Sequence, residues 1–137
     1  MPRHFNVSEF WFDCMLRKSI VIASWACLIF IAYATLTSIE TRPELVPFST
    51  WIFTIAERFG AYALLGLLFC LAYPRKIALV CLLVFGSAVL LEFFQLFIPD
   101  RHARILDAME KIAGGATGII AVRAVLILIA IRGRKKV

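Results

Sequence analysis

Seven polar side chains sit where an otherwise greasy chain tolerates them least: Glu57, Arg58, Glu92, Gln95, Arg101, Arg104 and Asp107. Glu92 and Gln95 are three residues apart and so share one face of a helix. A carboxylate beside an amide there can receive Arg58, Arg101 or Arg104 through charge-assisted hydrogen bonds. Such a group reads in two ways. It is either an ion pair fastening helix ends together or the lining of a site for an anion or a lipid headgroup. Glu57-Arg58 opens a second polar point, whose plainer reading is a solvated entry turn with Arg58 snorkelling to the interface. Asp107 and Lys111 are four apart in the acid-first order that favours an intrahelical pair.

Metal and thiol chemistry find little support. The two histidines, His4 and His102, are far apart in the sequence, so no zinc site and no cofactor are expected. Cys27, Cys70 and Cys81 lie inside apolar runs, Cys14 lies in the segment before them, and no CxxC spacing occurs. They read as small packed hydrophobes.

Composition says what must position these residues. The chain has 137 residues, 62% of them hydrophobic, and a mean hydropathy of +0.89. A soluble domain of this size leaves about a third of its surface in water, which is too much for so apolar a sequence. Lipid must cover the remainder. The net charge of +6 does not point to nucleic acid, because Lys and Arg cluster at the ends of apolar runs, where the positive-inside rule explains them.

The fold class is therefore all-α: four transmembrane helices preceded by an N-terminal interfacial helix. Residues 1–18 mix Phe5, Phe10, Trp11 and Phe12 with charges, as a headgroup-level helix does. No small-residue cleavage site follows them, so the segment is not a cleavable signal. The four-helix domain covers 19–131. Residues 19–39 carry no charge over 21 positions, enough to cross a hydrocarbon core of about 30 Å. The second span runs from about 51 to 73 and stops at Pro74, with Glu57-Arg58 near its entry. The third covers 77–98, with Glu92 roughly 9 Å below Ile98. The fourth covers 112–131, and residues 132–137 form a basic tail.

Orientation follows from counting Lys and Arg. The N-terminal segment, the 73–77 turn and the tail hold nine; the 40–58 and 99–111 stretches hold five, with Arg123 in neither tally. Both termini are thus expected in the cytoplasm, and the polar residues outside. Gly66 and the Gly114-x-x-x-Gly118 pair allow close backbone approach, the usual signature of helix packing. They are expected to pack within the chain, to a second copy in a homo-oligomer, or to a membrane-complex partner.

Taken in order, Glu57-Arg58 before Tyr62 and Gly66, then Glu92-x-x-Gln95, Pro99-Asp100-Arg101, Asp107, Gly114 and Gly118 resemble the VanZ-like proteins over about residues 37–122. The family's first motif, usually an Asp-Lys pair, has a His where this chain has Ala61, and four residues after the aspartate at the Asp107 position the family typically has an Asn where this chain has Lys111. The resemblance implies a small multispanning protein of the bacterial cytoplasmic membrane, in a family whose founding members are associated with teicoplanin resistance. It implies site roles for Glu57, Arg58, Glu92, Gln95, Arg101 and Asp107.

Four functions compete. The first is binding of an anionic membrane lipid or lipid-linked glycan headgroup. The second is an enzyme on such a lipid, with Glu92 or Asp107 as general base. It would have to work without a nucleophile elbow, metal cluster or phosphatase-like His motif. A small multidrug transporter would want a carboxylate in the first span, which 19–39 lacks. The last is a scaffold joining a larger complex through Gly114 and Gly118.

Overall fold

A computed structural model describes residues 7–36, 51–97 and 105–134. It consists of four helices: α1 (Val7–Leu36), α2 (Trp51–Ala72), α3 (Ile77–Gln95) and α4 (Ile105–Arg134). Each contains a stretch long and apolar enough to cross a membrane: Cys14–Leu36, Ile55–Ala72, Ile77–Gln95 and Leu106–Gly133. Only 11–33% of the residues in these stretches are buried inside the chain. A helix apolar all round yet mostly uncovered by protein needs lipid as its other neighbour. The chain is a multi-pass membrane protein.

Three boundaries differ from the sequence expectation. The interfacial segment is not a separate element, because helix runs through Ser19 into the span without a break. Nothing between Val7 and Leu36 is Pro or Gly, so no residue there forces a corner. The third helix ends at Gln95 rather than 98, and Leu96 and Phe97 tighten into i→i−3 bonds to Phe93 and Phe94 of 3.2 and 3.1 Å. Pro99 disfavours helical geometry at the residue before it. The fourth helix begins seven residues earlier than expected, taking in Asp107, Glu110 and Lys111. Those charges do not end the span, because Asp107 and Lys111 pair with α2 and α3, and Glu110 lies 3.9 Å from the Arg58 guanidinium, its buried Oε2 without a hydrogen bond among the described residues.

α2 packs on all three other helices. Against α4 it runs parallel and very close. A Cβ at Gly114 would meet the Phe59 carbonyl, one at Gly118 the Ala63 carbonyl, and one at Gly66 the Gly115 carbonyl. The Gly114-x-x-x-Gly118 face is thus occupied within the chain, by α2. α1 runs antiparallel to α2, with Trp25 against Phe69. α3 runs antiparallel to α4, with Val84 against Gly115. The core is a column of Tyr62, Leu65 and Phe69 from α2 with Val80, Val84, Ala88 and Leu91 from α3, closed by Ile31 of α1 and by Ile119 and Val122 of α4.

Candidate functional site

The column ends in charge. Two turns above Val84, Glu92 turns inward and accepts a hydrogen bond from Lys111 Nζ at 2.7 Å, linking α3 to α4. Both side chains are buried, that of Lys111 to 3% exposure and that of Glu92 to 12%. A charge at such a position is tolerated only when paired. Beside it, Arg58 Nη1 lies 2.6 Å from Asp107 Oδ2 and 3.9 Å from Glu110 Oε2, linking α2 to α4. Gln95 donates from Nε2 to the Thr35 carbonyl at 3.3 Å, linking α3 to α1. Every helix is therefore tied to another by a polar contact at this one end.

These pairings differ from the expected ones. Arg58 engages Asp107, and Lys111, not an arginine, engages Glu92. Asp107 and Lys111 stand four apart on α4, yet each reaches to a different helix. Arg101 and Arg104 lie outside the described residues. Lys111, whose spacing from Asp107 predicts an intrahelical pair, is instead the partner of Glu92, and it shares the α4 stripe with Asp107, Gly114 and Gly118. A lysine on a glycine face that a neighbouring backbone must approach cannot reach water, so its burial follows.

Between the helices at this level lies a cavity of about 120 Å³. Phe30, Ile31, Ala34 and Thr35 of α1 form one wall, and Glu57, Arg58, Ala61 and Tyr62 of α2 another. Gln95 and Lys111 close it from α3 and α4. Glu57 and Ala61 are one turn apart on α2, as are Arg58 and Tyr62, so that a single helical face supplies the whole second wall. Ala61, where the family usually has a His, offers the cavity a methyl group and no proton carrier.

The electrostatics are layered. Both cations line the cavity, whereas Glu92, Asp107 and Glu110, which hold them, stand behind and do not line it. Lys111 spends one of its three N–H donors on Glu92, and Arg58 Nη1 is engaged by the α4 acids, so donors remain on both groups. Glu57 forms no ion pair among the described residues. Among the described residues the enclosed Tyr62 hydroxyl has no hydrogen-bond partner. Among the described residues no group of His, Cys, Asp and Glu has the arrangement of a metal site.

No curated protein and no solved structure matches this chain. The VanZ/LLP1 family matches residues 18–129, a stretch holding all four helices' spanning segments apart from the ends of α1 and α4. Since that covers far more than half of the sequence, the four-helix bundle and its buried Glu92–Lys111 pair are those of a member of the VanZ/LLP1 family.

Proposed function

We propose that the protein binds the phosphate-bearing headgroup of a membrane lipid, or of a lipid-linked envelope precursor, at the outer membrane face. The observation that carries this reading is the orientation of Arg58 and Lys111: both line the cavity, and their carboxylate partners do not. An ion pair directed cation-first presents fixed N–H donors to an anion. Gln95 adds an amide, and the Phe30 and Ile31 wall gives the chain end of an amphiphile an apolar exit, with Phe30 itself 69% exposed to the lipid side.

Size narrows the ligand. At about 30 Å³ per water, the cavity of about 120 Å³ holds roughly four waters. A phosphate with a short appendage fits, whereas a saccharide chain would have to remain outside. The enzymatic alternative is weakened, since neither of its named bases, Glu92 and Asp107, lines the cavity and each is engaged by a cation that does. Placement at the outer face rests on the Lys and Arg count, nine against five. The association with teicoplanin resistance then has a chemical meaning: a protein holding envelope lipids where a glycopeptide acts.

The test is lipid retention. Protein purified into mixed-lipid nanodiscs is expected to retain phosphatidylglycerol over a neutral diacylglycerol, and Arg58→Gln should weaken that retention about tenfold. Equal retention of both lipids by the wild-type protein, or undiminished retention by a folded Arg58→Gln variant, sinks the reading. In cells, the same variant is expected to lower teicoplanin tolerance if the lipid site underlies it.

A further inference from the structure

Glu57 has no place in a site built for an anion alone. It lines the same cavity as Arg58 and Lys111, and it is exposed. Glu92, Asp107 and Glu110 all lie within ion-pairing reach of a cation, and Glu57 does not among the described residues. An unengaged carboxylate on the wall of a phosphate site repels the phosphate, unless the ligand also carries positive charge.

We propose that the preferred ligand is zwitterionic: a phosphodiester with a primary ammonium group a few bonds away, as in the headgroup of phosphatidylethanolamine. This rests on the reading of the cavity as a lipid headgroup site and names the class of headgroup. The phosphate lies against the Arg58 and Lys111 donors and the Gln95 amide, and the ammonium lies against Glu57. The volume agrees, because a cavity of about 120 Å³ takes a phosphate, an ethylene link and an ammonium, and little more. The layering agrees as well. Each lining cation already has an acid behind it, so the pocket as a whole is not strongly positive, and a ligand of no net charge suits it better than a multiply charged anion. A primary ammonium donates hydrogen bonds to a carboxylate and a quaternary one does not, so the site discriminates between ethanolamine and choline lipids.

The experiment uses full-length protein in nanodiscs containing equal parts of phosphatidylethanolamine, phosphatidylglycerol, phosphatidylcholine and diacylglycerol, with co-purifying lipid measured by native mass spectrometry. Wild-type protein is expected to enrich phosphatidylethanolamine about tenfold over both other phospholipids, the discrimination worth one charge-assisted hydrogen bond. In Glu57→Gln the phosphatidylethanolamine preference over phosphatidylglycerol should disappear, and Glu57→Asp should restore part of it. Enrichment of phosphatidylglycerol over phosphatidylethanolamine by the wild-type protein, or an unchanged preference in Glu57→Gln, overturns the zwitterion proposal and leaves phosphate binding standing. Failure to enrich any phospholipid over diacylglycerol overturns both.

Discussion

The two ends of this bundle are closed by opposite means. At the Gln95 end, helices are joined by ion pairs and an amide around a polar cavity. At the Tyr73 end α1 and α2 are joined by rings: Trp25 meets Phe69 edge-on at 5.6 Å, and Phe69 stacks on Tyr73, one turn further along, at 6.3 Å. The ring end also borders a void, an apolar groove of about 200 Å³ lined by Leu67, Leu71, Ala121, Val122, Val125 and Leu126. The larger space is thus the one without polar groups, with an apolar lining suited to a lipid chain. Volume does not make a site here; convergent donors in a place where donors are expensive do. Since rings suffice to close one end, the charges at the other need a reason beyond closure.

The most severe test strikes the seam that both ends share. Any side chain at Gly118 runs into the Ala63 carbonyl and comes within 2.9 Å of the Leu67 backbone nitrogen, neither of which can move without dismantling α2. Gly118→Leu is expected to cost upwards of about 3 kcal/mol and to leave little folded protein by thermal melt in detergent. Gly86→Ala, where a Cβ meets nothing within 4 Å, should melt like the wild type. Similar melting of the two variants would mean that α2 and α4 do not meet in this register, and both ends would have to be redrawn.

Next in size is the buried pair. Lys111→Met leaves Glu92 charged and unpartnered by an ammonium, an arrangement that costs about 3–5 kcal/mol in other proteins. The double variant Lys111→Met/Glu92→Leu removes both charges and is expected to recover most of that stability. It should not recover lipid retention, because the cavity has lost its deepest donor. That split separates a fastening from a site. A double variant that melts and binds lipid like the wild type would show that the charged end is only another kind of closure.

Much of this was legible in the residues. Charge-free runs and Pro74 locate the spans and a turn, and Gly114 and Gly118 announce a close packing face. Glu92 with Gln95 announces an inward polar face. Partner choice was less legible, because it depends on which helices lie adjacent and at what height. Asp107 and Lys111 satisfy the rule for an intrahelical pair, and only the placement of α2 and α3 on either side of α4 draws them apart. The start of α4 at Ile105 is hard to read from the sequence for a related reason. Charges look like the end of a span until their partners on other helices are known.

The smallest effect is expected at the ring end, and its smallness is informative. Trp25→Phe keeps an edge-to-face contact with Phe69 and gives up the 3.5 Å contact from the indole nitrogen to the Tyr73 hydroxyl, which is long for a hydrogen bond. The loss should be about 0.5–1 kcal/mol, within reach of careful chemical or thermal denaturation. Lipid retention should not change, since Trp25 does not line the cavity and lies five residues, or roughly 7.5 Å of helix rise, from Phe30, the nearest cavity-wall residue of α1. If Trp25→Phe altered headgroup preference as Glu57→Gln is expected to, the two ends would be coupled. Headgroup binding would then depend on the tilt of α1 against α2, the two helices that reach from the ring cluster to the cavity.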